Sequence, residues 1–113
     1  MKGTIKRNNE FRYAYRRGKK FVTPVLVLHY YKNRGQANQY GITVSTTIGG
    51  AVVRNRIKRL IREAYRMQKD TIKSGYNTVW VARGRTAHAD FATICSAMQF
   101  CIEKSGILRD VSA

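Results

Sequence analysis

The stretch Ile48-Gly49-Gly50-Ala51-Val52-Val53-Arg54-Asn55-Arg56-Ile57-Lys58-Arg59-Leu60-Ile61-Arg62-Glu63-Ala64-Tyr65-Arg66 decides how the rest of the chain is read. At 100° per residue, Val53, Ile57, Leu60, Ile61, Ala64 and Met67 fall on one side, a stripe wide enough to dock a helix on a core. Arg54, Lys58, Arg62 and Arg66 lie four apart on the opposite side, with Asn55, Arg59 and Lys69 beside them. Four residues of helix rise about 6 Å, so the row spaces its cations evenly along roughly 18 Å of axis. A solvated face normally mixes signs to gain i,i+4 pairs. Here six cations and a single acid, Glu63, lie between Arg54 and Arg66. Like charges at i and i+4 destabilise a helix by a few tenths of a kcal/mol each. Repeating that penalty along one face points to an external polyanion, RNA or DNA. Asn55 is a poor helix former between two arginines, yet it donates and accepts hydrogen bonds at a nucleic-acid surface.

The totals agree with that partner. The chain has 113 residues, enough for one domain (1–113) with a modest core, its ordered part expected over about 6–106. A hydrophobic content of 43% with 11% aromatics argues against disorder. A net charge of +16 is extreme for a folded domain and repels itself in isolation, so nucleic acid comes first and an anionic membrane surface second. No apolar run approaches 18 residues and the first residues lack a signal-peptide segment, so no membrane role is expected. Cys95 and Cys101 lie six apart, about 240° round a helix, and face different ways; two cysteines are too few for a closed metal site. A reduced, cytoplasmic protein is expected.

Working outward, residues 1–7 are basic and read as loose. Asn8 is a plausible N-cap, with Glu10 in the first turn of a short helix that carries Phe11, Ala14 and Tyr15 on one face and stops at Gly18. Phe11 and Tyr15 among arginines suit either a core patch or a platform on which bases stack. Phe21-Val22-Thr23 leads through Pro24 into the strand Val25–Tyr31, with Val25, Val27, His29 and Tyr31 on one face and Leu26, Leu28 and Tyr30 on the other. Residues 32–39 read as a hairpin loop, and 40–46 as the returning strand, before Gly49-Gly50 opens the central helix. That helix decays towards Gly75. A third strand covers 77–83, a turn 84–86, and a last helix runs from His88 or Asp90 to Lys104, with Gly106 at its end and a frayed tail after Arg109. The order is α-β-β-α-β-α, an α/β (α+β) two-layer sandwich with helices packed against a small sheet.

Catalytic constellations are missing from the sequence pattern. The six acids are scattered, and His29 and His88 have no carboxylate or nucleophile at a telling spacing. Any reaction must borrow a catalyst located elsewhere.

The run Ile48-Gly49-x-Ala51-Val52-x-Arg54-Asn55-Arg56-Ile57-Lys58-Arg59-Leu60-Ile61-Arg62-Glu63 resembles the signature of the bacterial ribonuclease P protein subunit. The likeness extends over about residues 6–104 through Asn8-x-x-Phe11-x-x-x-Tyr15-x-x-Gly18, Val27-Leu28, Gly41-Ile42-Thr43-Val44-Ser45 and Val79 to Arg83. The resemblance implies a protein cofactor of a catalytic RNA that removes the 5′ leader of precursor tRNA with Mg²⁺ held mainly by the RNA and none by the protein alone. It implies that Arg54, Asn55, Arg56, Lys58, Arg59, Arg62 and Arg66 contact the catalytic RNA and that Phe11, Tyr15, Val27 and His29 line a cleft for the leader. One protein copy, monomeric by itself, would serve each RNA. A left-handed β-α-β crossover, against the usual right-handed rule, is implied in the same way. Three positions depart from the family pattern: Thr46 and Thr47 replace two basic residues, for which Lys19, Lys20 or Arg85 could substitute; His29 replaces an aromatic; and Tyr15 replaces phenylalanine.

Other readings are a ribosomal protein or RNA chaperone, a helix-turn-helix DNA binder and a stand-alone nuclease. The first need not contain a second, aromatic-lined site. The second would need a scaffold helix where the chain is β-prone.

Overall fold

A computed structural model describes residues 3–109. Its elements are α1 (Asn8–Arg17), β1 (Lys19–Val22), β2 (Leu26–Lys32), β3 (Gln39–Thr43), α2 (Ala51–Gln68), β4 (Tyr76–Ala82) and α3 (Phe91–Ser105). Single 3-10 turns follow α2 at Lys69–Thr71 and β4 at Gly84–His88. The sheet order is β1-β2-β4-β3: β4 pairs antiparallel with β2 and parallel with β3.

Alternation along β2 separates the two faces of the sheet as the sequence suggests: Leu26, Leu28 and Tyr30 are buried, while Val27, His29 and Tyr31 are only half-buried. The buried set meets Trp80 of β4 and a two-helix layer made by Ile57, Ile61, Ala64 and Tyr65 of α2 and Ile94, Met98, Cys101 and Ile102 of α3. Trp80 is wholly buried and places its indole N–H on Thr78 Oγ1 at 3.1 Å, so no donor is stranded. Asp90 caps α3 by accepting from the Thr93 N–H at 2.8 Å, and Gly106 ends it in the left-handed region at φ 86°. Cys95 and Cys101 are both free thiols, the second buried. The opposite face of the sheet carries a smaller cluster, in which Ile5, Phe11, Ala14, Tyr31, Val79 and Val81 seat α1.

Several expectations are corrected. The pattern α-β-β-α-β-α becomes α-β-β-β-α-β-α because Lys19–Val22 forms a strand of its own. Its lysines hide the strand signal, but Thr23 makes the turn, accepting from the Leu26 N–H at 2.8 Å through Oγ1 while its own N–H donates to Leu26 O. Residues 33–38 do not close a hairpin: β4 enters between β2 and β3, which are therefore two strand spacings, about 10 Å, apart. Asn8 lies inside α1, whose N-cap is Arg7 without a side-chain bond. The expected loose start holds neither for Ile5, which is buried, nor for its backbone, whose N–H donates to Tyr40 O at 2.8 Å. On α2, Met67 is 70% exposed and Tyr65 takes its place, because the Tyr40 ring stacks on Tyr65 at 4.1 Å and tilts the buried stripe towards β3. Burial pushes the Tyr65 hydroxyl up to about 12. At the other end Ile107 is buried, and Lys73 and Arg109 donate to Ile107 O and Thr71 O. The expected fraying after Arg109 lies outside the described residues.

The seat of α1 depends on Gly41. A Cβ there would stand 2.5 Å from Phe11 Cε1 and 2.6 Å from Cζ, so the aromatic ring occupies the space that any side chain would need. Gly41→Ala is expected to lower stability by about 1–3 kcal/mol through overpacking. Gly84→Ala, with nothing within 4 Å, is expected to change it by less than about 0.5 kcal/mol. Urea denaturation of both variants checks the contrast.

Candidate RNA interface

Strand register lays out the face beneath α1 as cross-sheet rows. One row is Val22, Val27, Val81 and Thr43; the next is Lys20, His29, Val79 and Gly41. The Tyr15 ring of α1 stands edge-on to His29, centroids 5.0 Å apart at 81°, and its hydroxyl shares a 2.6 Å hydrogen bond with Thr43 Oγ1. Tyr15 is 41% exposed, and Val27 and His29 are half-buried, so these three make an open trough at the C-terminal end of α1. Phe11 is the exception among the four predicted cleft residues. It is half-buried against Gly41 and lies on the β3 side of α1 rather than beside His29.

That displacement joins the two predicted sites. Phe11 shares a hollow of about 220 Å³ with Ile42, Lys58 and Arg62, so α1 and the basic helix border one depression. Sequence reasoning kept helix and cleft separate because no local pattern reports the distance from α1 to α2. It also missed Thr43 and Val81 as trough residues; their signal is the strand register, legible only once β4 is placed. Lys20, offered as a substitute for the missing basic pair, registers with His29 on the trough face, whereas Lys19 registers with Tyr30. Arg85 lies with Arg83 beside Val22, Thr23 and Pro24. Thr46 is exposed, and Thr47 is engaged with Ser45 through a 2.9 Å hydroxyl contact.

The cations of α2 are not equivalent. Arg54 folds back to donate from Nε to Gly49 O at 3.1 Å, bracing the entry of the helix. Arg56 reaches sideways to Ala87 O at 3.4 Å. Arg66 is paired with Glu63 at 2.7 Å, a bond between exposed side chains that contributes little stability but cancels a charge. Asn55, Arg59 and Arg62 are exposed, and Lys58 is half-buried. The effective cationic face is therefore centred on Arg59 and Arg62 and weakens towards Arg66.

Among the described residues no helix is long and apolar enough to cross a membrane. No group of three or more His, Cys, Asp or Glu residues among them is placed to hold a metal ion.

His29 is the titratable group of the trough. Its Nδ1 is buried without a hydrogen-bond partner. Burial, and then the neighbouring charge of Lys20, push its pKa below the ordinary 6.5. The folded state thus binds this proton less readily than the unfolded chain. The resulting stability is fully present above pH 6.5 and is lost as pH falls through the lower, folded value. His29→Phe is expected to flatten the acid side of the stability curve between pH 7.5 and 5, measured by urea midpoints; an unchanged slope would place the titration elsewhere.

The Ribonuclease P family model matches residues 2–106. A "Ribonuclease P protein component" of Clostridium botulinum (strain Langeland) is 44% identical over 104 residues, covering 91% of this chain and 94% of the relative. One from Clostridium perfringens (strain SM101) is 42% identical over 114 residues, covering 95% and 90%. The solved RNase P protein of Staphylococcus aureus superposes with a TM-score of 0.87 at 25% identity, covering 96% of this chain and all of that one. That of Thermotoga maritima gives 0.82 at 25% identity, covering 89% and 96%. The chain shares its fold with these solved proteins, and it belongs to the ribonuclease P protein family.

Proposed function

We propose that this subunit lends an RNA catalyst two surfaces at once: α2 docks on the catalytic RNA, and the trough at the end of α1 holds the unpaired 5′ leader of precursor tRNA. As a ribonuclease P protein component, the chain serves the endonucleolytic maturation of tRNA 5′ ends, with the RNA as catalyst. The observation that carries the two-surface reading is the hollow that Phe11 of α1 lines together with Lys58 and Arg62 of α2.

The chemistry assigned to each residue follows from what it offers. Arg59, Arg62, Lys58 and Asn55 face phosphates of the catalytic RNA, with Arg54 and Arg56 shaping the ends of the row and Arg66 contributing least. Tyr15, Val27 and neutral His29 present rings and an aliphatic floor to bases; stacking is tolerant of sequence, as a variable leader requires. One protein per RNA suffices. Mg²⁺ stays with the RNA, and the protein lowers the concentration required by neutralising phosphate crowding where leader and catalyst meet. The direct experiment is cleavage of a precursor tRNA by a bacterial catalytic RNA at low Mg²⁺, with and without the protein. Failure to stimulate cleavage would overturn the proposal.

Two finer outcomes are expected. Replacing Arg59 and Arg62 together with alanine should weaken binding to the catalytic RNA and reduce the log–log salt slope by about 1.4–1.8, the value for two phosphate contacts. Arg66→Ala should cost markedly less, because Glu63 already holds that guanidinium. Filter binding from low to moderate salt checks both. Tyr15→Ala should weaken precursor tRNA binding by the holoenzyme about 5- to 150-fold, with mature tRNA little affected. Equal losses on both substrates would instead fit a general RNA-binding module.

A further inference from the structure

A second cavity, of about 640 Å³, opens on the same face of the sheet at the other end of α1. Helix α1 supplies Glu10 and Tyr13, strand β2 supplies Tyr31 and Lys32, and Gln39 and Asn77 come from β3 and β4, with Arg34 at the rim. Tyr13 is 51% exposed and meets Tyr31 edge-on, with centroids 4.7 Å apart at 63°. This repeats the Tyr15–His29 pair one step further along β2, since residues two apart in a strand share a face and are separated by roughly 7 Å. A second aromatic pair therefore stands beside the first on the same face of β2.

The floor of the cavity is built in advance. Asn77 is 3% exposed; its Nδ2 donates to Tyr31 OH at 2.8 Å, and its Oδ1 accepts from Asn33 Nδ2 at 2.8 Å. Tyr31 OH, with an acceptor site filled, is left to donate its own proton. The loop 33–38 is tied down in turn: Asn33 N–H donates to Gly75 O at 2.7 Å, Gly35 N–H to Asn33 Oδ1 at 2.9 Å, and Tyr76 N–H to Asn38 Oδ1 at 2.8 Å. Gly75 stands at φ 85°, and a Cβ there would be 3.0 Å from Gly35 O, so this loop closes tightly onto β4. A surface loop held by so many bonds is a rigid wall.

We propose that this cavity is a second nucleobase site, in which an unpaired RNA base stacks on Tyr13 while its polar edge meets Gln39 and Tyr31 OH, with Lys32 and Arg34 on the flanking phosphates. The inference rests on the two-surface reading above. The volume lies in the range of small-molecule sites. The ring, the amide and the flanking cations match the stacking face, the base edge and the phosphate of one nucleotide. Glu10 is the single acid in the lining. The base comes either from the leader, upstream of the part held in the trough, or from a loop of the catalytic RNA.

Holoenzyme assembled from a bacterial catalytic RNA and the full chain tests this with Tyr13→Ala, Tyr13→Phe and Gln39→Ala, each with its unfolding midpoint measured. Tyr13→Ala is expected to weaken binding at least fivefold, Tyr13→Phe to retain it, and Gln39→Ala to weaken it without loss of stability. If the base belongs to the leader, the loss appears with long-leader precursor tRNA and disappears as the leader is shortened. If it belongs to the catalytic RNA, the loss appears in binding to that RNA alone. Both outcomes support the site. Affinities within twofold of wild type in both assays for Tyr13→Ala and Gln39→Ala would overturn it. His29→Ala is the control: if it alone weakens precursor binding, the second site fails while the trough stands, and if it too has no effect, the leader reading fails with it.

Discussion

Strand β4 is the constraint on which the rest depends. It is hydrogen-bonded on both edges and covered on both faces, so Asn77, Thr78, Val79 and Trp80 are all buried. Because it pairs antiparallel with β2 and parallel with β3, it fixes how far apart those two strands stand. Tyr15 can reach Thr43 over β4 while its ring meets His29 only at that separation. On the other side, Trp80 fills the core against which α2 turns its apolar stripe, so the cations of α2 are left outward.

A chain of net charge +16 must fold against its own repulsion, and the structure spends few acids on relief. Glu63 neutralises Arg66 alone, and the guanidinium groups of Arg54 and Arg56 lean on backbone carbonyls instead. These bonds orient the side chains without removing charge. What remains unpaired on α2 is a short cationic surface around Arg59 and Arg62, set at the hollow that Phe11 also lines. A polyanion relieves this repulsion directly, and such binding is expected to stabilise the fold as well as serve function.

The trough and the second cavity share one device, a tyrosine of α1 standing edge-on to a ring of β2. Tyr13 and Tyr15 lie two apart on the helix and so point in nearly opposite directions, one over each end of the sheet face. Charged groups sit at the margins: Lys20 beside His29 and Lys32 and Arg34 beside Tyr31. Desolvation, and then the neighbouring Lys20, lower the pKa of His29 and so disfavour its cationic form on the floor of the trough.

By itself the sequence determined the parts whose signals are local. The periodicity of Ile57, Ile61 and Ala64 against Lys58, Arg59 and Arg62 specified an amphipathic basic helix, and the alternation from Leu26 to Tyr31 specified which residues of β2 share a face. Asp90 and Gly106 marked the ends of α3, and the Arg54-Asn55-Arg56 run marked the family. Only the tertiary structure decided what depends on contacts distant in sequence. Lys19–Val22 becomes a strand because β2 offers it an edge, Tyr65 replaces Met67 in the core because Tyr40 lies opposite, and residues 33–38 span rather than turn because β4 is inserted beside them. The placement of Phe11 against Gly41, on a hollow that Arg62 also lines, has the same origin: strand pairing across more than 30 residues has no periodic trace in the chain, and that pairing sets where the rings and the cations stand.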